Sequence, residues 1–319
     1  MPLPVQFLLL IVGFVLLMKG ADVFVDGSSC LAKKLGVPQI VIGLTIVAMG
    51  TSAPEAAISI TASVKGNAEL AVSNVLGSNI MNVLLILGIA AAITPLAIQK
   101  NTLFIEIPFV TVITAILLFQ GITGYSISRF DGVILTILFL AFMGYLVFIS
   151  IKKKGADEEE NTKNLPVWAM ILFIIGGMAA VIGGSQLTVN SATEIAKHFG
   201  MSDRLIGLTI VAFGTSLPEL ITSVTAACKH NADIAIGNIV GSNIFNILFV
   251  LGISALVNPV AYAKEFIVDN VFAIITMILL FVCVIFTRDK KLKRAGGIIM
   301  LLSYAAYFVC FIVLQIKLI

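Results

Sequence analysis

Charge is what this chain has least of. Only 12% of its 319 residues are Asp, Glu, Lys or Arg, while 59% are hydrophobic. Soluble domains carry about 25% charged residues, so that class is excluded. Cysteine is scarce too. Cys30, Cys228, Cys283 and Cys310 lie in or beside apolar stretches and form no CxxC pair. A disulfide framework or soft-metal site is therefore not expected, and the four read as small buried hydrophobes. The two histidines, His198 and His230, fall in loop regions. No Ser/Lys, Asp/Asp or His-rich pairing stands out, which argues against an intramembrane enzyme and for no cofactor. The N-terminal Met-Pro-Leu-Pro-Val-Gln lacks the basic start of a secretory signal, so the first apolar stretch is expected to stay.

What the chain has in abundance is apolar runs of about 20 residues, the length that crosses a bilayer as helix. Ten are expected, near 5–27, 39–64, 70–93, 103–121, 132–151, 167–190, 205–229, 234–257, 266–286 and 296–316. The fold class is an all-α polytopic membrane protein whose partner is the lipid bilayer; no nucleic acid or obligate protein partner is evident. Alternate loops of a ten-span chain face opposite sides. Thirteen Lys and Arg, including Lys33, Lys34, Lys100, Lys152 to Lys154, Lys229 and Arg288 to Arg294, fall on one side, against six on the other. The positive-inside rule puts the 152–164 loop in the cytoplasm and both termini outside a cell membrane.

A repeat runs through the sequence at a constant offset of 164 residues. Ile42-Gly-Leu-Thr-Ile-Val-Ala-Met-Gly-Thr-Ser-Ala-Pro-Glu55 and Ile206-Gly-Leu-Thr-Ile-Val-Ala-Phe-Gly-Thr-Ser-Leu-Pro-Glu219 share twelve of 14 positions. Ala71–Asn82 matches Ala235–Asn246, and Leu31–Gly36 matches Ile195–Gly200, at the same offset. Five spans separate equivalent points, an odd number, so the second half enters the membrane with opposite topology. Residues 1–151 form one five-helix repeat and 165–319 the other. Inverted repeats of this kind place a binding site at the midplane, between discontinuous helices. The joining segment 152–164, Lys152-Lys-Lys-Gly-Ala-Asp-Glu-Glu-Glu-Asn-Thr-Lys-Asn164, reads as a solvated cytoplasmic linker.

A carboxylate in mid-membrane costs roughly 2.5–3.5 kcal/mol on insertion scales. Glu55 and Glu219 each follow a helix-breaking Gly-Thr-Ser-x-Pro, and that pairing points to a cation site. Pro54 cannot donate a backbone hydrogen bond and disfavours helix at Ala53. It suits the first turn of a new helix, capped by Thr or Ser. A break here is expected to leave the carbonyls of Ala48 and Thr51 without helical partners, as hard oxygen ligands. Glu55 then lies in the first turn of a half-helix whose dipole favours its charge. Ala212, Thr215, Pro218 and Glu219 read the same way. Ser78 and Asn82, at i and i+4, share one helical face, as do Ser242 and Asn246. Asn74 and Asn238 lie one turn back on that face; they, Asn79 and Asn243 also suit hydrogen bonding between helices. Two carboxylates and six or more neutral oxygens match the 6–8 ligands of Ca²⁺. Asp22 and Asp26 read as a polar, cytoplasm-facing helix end. Glu106, Asp131, Asp233, Glu265 and Asp269 read as interfacial.

Paired Gly-Thr-Ser-x-Pro-Glu and Gly-Ser-Asn-Ile-x-Asn segments in inverted halves resemble the cation/calcium exchanger superfamily, and within it the prokaryotic sodium/calcium antiporters. The resemblance covers essentially the whole chain, through alpha-repeat motifs at 31–95 and 195–259. It implies a secondary antiporter, not an enzyme, that exchanges Na⁺ for Ca²⁺. It makes Glu55 and Glu219 the central ligands, assisted by backbone oxygens of Thr51 and Thr215. Ala48, Ser78, Ala212 and Ser242 flank them at sodium sites, and Asn82 and Asn246 take the middle positions. Ser52 and Ser216 belong to the same candidate set. Helices one and six are implied to slide across a core of helices two, three, seven and eight. The sequence departs at Asn246, where many sodium/calcium exchangers carry Asp, and where Ala53 answers to Leu217. A proton-coupled divalent exchanger and a cation channel with the same carboxylates as a selectivity ring are the alternatives.

Overall fold

A computed structural model describes residues 2–152, 165–201, 210 and 212–317, with the side chains of Ala212 and of residues 311–317 left aside. Most of the expected linker, 153–164, and the opening of the seventh expected span lie outside the described residues.

Without water to satisfy backbone groups, membrane-spanning chain folds as helix. The described chain runs α1 (Leu3–Leu35), α2 (Gln39–Thr51), α3 (Ala53–Val64), α4 (Glu69–Ile93), α5 (Thr102–Gly124) and α6 (Arg129–Lys152). There follow α7 (Val167–His198), α8 (Ala212–Thr215), α9 (Leu217–Cys228), α10 (Ala232–Val257), α11 (Glu265–Ile285) and α12 (Arg294–Lys317). Seven of these helices are each long and apolar enough to cross a bilayer, and the bent pair α2–α3 makes an eighth. The protein is thus an all-helical, multi-span membrane protein.

α4 and α10 form its centre. In their most apolar stretches 72% and 83% of residues are buried, against 33% in α6 and α11, which turn broad faces outward. α2 crosses α10 at glycines: a Cβ on Gly237 would lie 2.9 Å from the Gly43 Cα, and one on Gly241 2.7 Å from the Leu44 carbonyl.

α1 and α7 make the largest helix–helix contact. They run antiparallel, Gly13 against Gly184, Gly20 against Gly177 and Gly27 against Phe173. Glycines seven apart lie on one helical face and let two backbones approach closely. Both helices run further than their apolar stretches, to Leu35 and His198 rather than 27 and 190. The polar last turns of α1 find partners within the protein. Lys229, just past α9, pairs with Asp22 (2.6 Å) and Asp26, and Asn231 donates to Ser29 Oγ (2.9 Å). The Asp22–Asp26 helix end is therefore polar and tied down.

Four two-residue strands tie the connections together. β1 (Leu96–Ala97) pairs antiparallel with β4 (Lys291–Leu292), and β2 (Ser126–Ile127) with β3 (Val260–Ala261). β1 and β3 are equivalent positions, 164 residues apart, and each pairs with the connection before the last helix of the other half. Two of the acids expected at the interface are instead drawn inward. Glu106 is buried and accepts a hydrogen bond from Tyr145 Oη (2.7 Å), while half-buried Asp269 accepts one from Tyr307 Oη (2.9 Å). A tyrosine on the neighbouring helix compensates for the lost water in each case.

A Cβ on Gly177 would sit 2.7 Å from the Phe24 backbone nitrogen, whereas one on Gly176 meets nothing within 4 Å. Overpacking typically costs about 1–3 kcal/mol. Gly177→Leu is therefore expected to lower the thermal midpoint in detergent by several degrees, and Gly176→Leu to leave it nearly unchanged.

Candidate cation site

The α2–α3 break is built by two residues. Pro54 has no N–H to give to the Gly50 carbonyl, and Ser52 (φ −83°, ψ 5°) leaves the helical path two residues before it. The axes turn by 52° there. In the second half Ser216 (φ −92°, ψ 6°) separates α8 from α9 in the same way. The break thus falls at the serine, one residue earlier than the restriction at Ala53 suggests, and Ala53 already begins the new helix. Glu55 and Glu219 are each the third residue of that new helix.

The expectation of a bare carbonyl fails at Ala48, and the two halves differ. The Ala48 carbonyl keeps a helical partner, the Ser52 N–H (3.0 Å), and Thr51 Oγ1 lies 3.3 Å from it. In the second half the Ser216 N–H goes to Phe213 (3.2 Å) rather than to Ala212. The caps also differ from expectation. Ser52 stands at the cap position, yet its hydroxyl donates across the site to Glu219 Oε1 (2.8 Å). Ser52 makes no side-chain cap bond to the new helix, and Pro54 offers no N–H in its first turn.

Most of the predicted residues converge. Thr51, Ser52, Glu55, Ser78 and Asn82 from the first half, and Ser216, Glu219, Ser242 and Asn246 from the second, are all buried, and so is Ala48. Thr215 is half-buried beside them, and Ala212 opens α8. Glu55 and Glu219 are each 1% exposed and lie within electrostatic reach of one another. Ser242 Oγ lies 3.5 Å from the Ala48 carbonyl, which joins two predicted ligands from opposite halves. Asn82 and Asn246 each open a wider π-helical turn, Asn82–Leu87 and Asn246–Leu251. Such turns are frequent at functional sites.

Around this set runs a frame of hydrogen bonds that repeats at the 164-residue offset. Asn74 Nδ2 donates to Ser59 Oγ (3.0 Å), and Asn238 Nδ2 to Ser223 Oγ (2.9 Å). Thr51 Oγ1 donates to Asn238 Oδ1 (3.0 Å). Asn74 and Asn238 therefore act between helices. Ser59, Ser223 and Ser185, whose hydroxyl donates to the Gly214 carbonyl (2.9 Å), are site-framing residues that spacing alone did not single out. The signal available for the first two was their place one turn after each glutamate.

Four oxygens remain over. Glu55 Oε2, Glu219 Oε2, Asn82 Oδ1 and Asn246 Oδ1 are buried with no hydrogen-bond partner among the described residues. They form two repeat-related pairs, two from carboxylates and two from amides. A buried acceptor left unpaired costs about 1–3 kcal/mol, and more when charged. All four are hard oxygen donors, the type that Na⁺ and Ca²⁺ take; the hydroxyl of Ser216 is likewise buried and unpartnered.

Known proteins show the same arrangement of chain. Residues 5–148 and 169–313 each match the family described as sodium/calcium exchanger protein. The inner membrane protein YrbG of Escherichia coli is 36% identical over 92% of each chain. The sodium/calcium exchanger MaX1 of Methanosarcina acetivorans is 32% identical over 96% of this chain and 98% of its own. A structure of the sodium-calcium exchanger NCX_Mj, from crystals soaked with Na⁺ and Sr²⁺, superposes with a TM-score of 0.84 at 33% identity. It covers 97% of this chain and 99% of its own.

Because Ser52 bonds Glu219 while the Ser216 hydroxyl has no partner among the described residues, the two serines are not equivalent. A charge-assisted hydrogen bond contributes about 1.5–3 kcal/mol. Ser52→Ala is expected to lower the thermal midpoint in ion-free buffer by several degrees, and Ser216→Ala by much less.

Proposed function

This chain belongs to the sodium/calcium exchanger family of cation antiporters, and on that premise we propose that it exchanges Na⁺ for Ca²⁺ by alternating access, with Glu55 and Glu219 as central ligands. The observation that carries this reading is the set of four buried, unpartnered oxygens on Glu55, Glu219, Asn82 and Asn246. Two buried carboxylates repel each other and lack their hydration. One Ca²⁺ or two Na⁺ would neutralise them, so the two ions compete for one charge, and that competition couples their movements. Ca²⁺ takes 6–8 oxygens at 2.3–2.6 Å. The four oxygens supply half or more of these. Backbone oxygens of Thr51 and Thr215 and the hydroxyls of Ser52 and Ser216 complete the shell. Ala48, Ser78, Ala212 and Ser242 flank it as sodium positions.

We read the chain as ten spans in two inverted five-helix repeats, 1–151 and 165–319, joined through 152–164. Three observations support this. α1 and its repeat equivalent α7 are antiparallel. The β1–β4 and β2–β3 pairs each join connections that a ten-span chain puts on the same side. The two family matches, 5–148 and 169–313, divide the chain at the same place. The excess of Lys and Arg on the linker side supports cytoplasmic placement of 152–164, with both termini outside. The glycine-lined contact of α1 and α7 suits a pair that slides as one body across the core.

The test is Ca²⁺ uptake by proteoliposomes loaded with Na⁺ and diluted into Na⁺-free buffer at matched pH. Uptake is expected to require the outward Na⁺ gradient. Glu55→Gln and Glu219→Gln are each expected to reduce it to background while the protein remains monodisperse. Uptake that survives both substitutions overturns the site. Uptake indifferent to Na⁺ but driven by an outward proton gradient overturns the coupling ion. Ca²⁺ flux without any counter-ion makes the protein a channel.

A further inference from the structure

The two asparagines that present oxygen to the site have neighbours, Asn79 and Asn243, three residues before them, and all four are buried. An asparagine amide is nearly symmetric in shape, but one end is an acceptor and the other a donor. Only the oxygen end serves a cation. What decides the direction of Asn82 and Asn246 is therefore part of the site's chemistry.

The direction follows from backbone carbonyls, which only accept. Asn79 Nδ2 donates to the carbonyl of Asn243 (3.3 Å), and Asn243 Nδ2 donates to the carbonyl of Asn79 (3.3 Å). Each of these amides thus has its nitrogen end determined, and its oxygen end must face elsewhere. Asn79 Oδ1 accepts from Asn246 Nδ2 (3.2 Å), and Asn243 Oδ1 accepts from Asn82 Nδ2 (3.0 Å). An amide oxygen is also only an acceptor, so Asn82 and Asn246 must bring their nitrogens to it. Their own oxygens are left on the opposite side, the buried and unpartnered Oδ1 atoms described above. Turning either outer amide over would set oxygen against oxygen and aim an NH₂ group at the cation.

Building on the exchanger reading above, we propose that Asn79 and Asn243 are positioning residues that aim the carbonyl oxygens of Asn82 and Asn246 at the transported ion. The aiming is crossed. Asn243 of the second half directs Asn82 of the first, and Asn79 of the first directs Asn246 of the second. Neither half orients its own ligand, so the docking of α4 on α10 and the assembly of the ion site are one event.

The test is a pair of crossed double-mutant cycles, read as KM for Ca²⁺ in Na⁺-dependent uptake and as Ca²⁺-induced thermal stabilisation. Removing a group that orients a metal ligand typically weakens metal affinity by about 10–100-fold. Asn243→Leu is expected to raise KM by about that factor, with kcat much less affected. Asn82→Asp has oxygen at both ends of its side chain and needs no aiming, and Asn82→Leu has nothing to aim. In either background Asn243→Leu should change KM little, while Asn79→Leu should keep its full effect. Asn246→Asp or Asn246→Leu should suppress Asn79→Leu and not Asn243→Leu. Where a leucine at 79 or 243 prevents folding, alanine there makes the same comparison.

Effects that simply multiply in every background overturn the proposal, because they show asparagines that only hold the helices together. A wild-type protein that exchanges Ca²⁺, loses it in Glu55→Gln, and gives multiplying cycles defeats the aiming alone. A wild-type protein with no Ca²⁺ uptake defeats the exchanger reading and this proposal with it.

Discussion

Two carboxylates buried in an apolar protein are a debt that packing alone cannot settle. Glu55 and Glu219 are almost wholly shielded from water and within electrostatic reach of one another, and truncating neighbours would not relieve them. Burial of unpaired charge is among the largest unfavourable terms in folding. Each nearby feature bears on that difficulty. The broken helices place both acids in the first turn of a half-helix, where the dipole favours negative charge. Ser52 offers Glu219 a hydroxyl across the gap between halves. Glu55 Oε2 and Glu219 Oε2 are left without a hydrogen-bond partner among the described residues, which is costly for buried acceptors.

The rest of the core is arranged so that polar groups answer one another across the repeat. Asn74 with Ser59 and Asn238 with Ser223 make the same bond twice. Asn79 and Asn243 exchange bonds with each other's backbones. Polar side chains inside a membrane protein are tolerated when satisfied, and a fully connected network specifies one arrangement of helices. At the candidate site's centre, Glu55, Glu219, Asn82 and Asn246 each keep one oxygen without a partner among the described residues. The symmetry is nevertheless incomplete: Ser52 is engaged and Ser216 is not, and Asp22, Asp26 and Lys229 form a charged tie whose repeat equivalents are Gln186, Asn190 and Lys65.

Outside this core the forces change. α1 and α7 touch through glycines, so close backbone packing contributes to their association. Connections at the membrane faces are held by short strand pairs and by side chains such as Gln99, which donates to Asp233 (2.6 Å). The centre is thus held by paired polar side chains and the outer α1–α7 contact by glycine packing.

The family, the all-helical membrane class and the break before each buried glutamate could be read from residues alone, because each depends on local chemistry. Apolar runs must be helices in lipid, Pro54 must break one, and a 164-residue offset must mean equivalent halves. Contacts between distant segments could not be read that way. The polar last turns of α1 looked like the end of a span until Lys229 and Asn231, some 200 residues away in the chain, were found beside them. Glu106 looked interfacial until Tyr145 on the next helix covered it. Spacing put Asn79 and Asn82 near one another, but the partner that fixes the Asn82 amide is the side-chain oxygen of Asn243 across the molecule. Periodicity shows which face of a helix a residue occupies. Only the packed structure decides what that face meets, because hydrogen bonding and burial are properties of the pair.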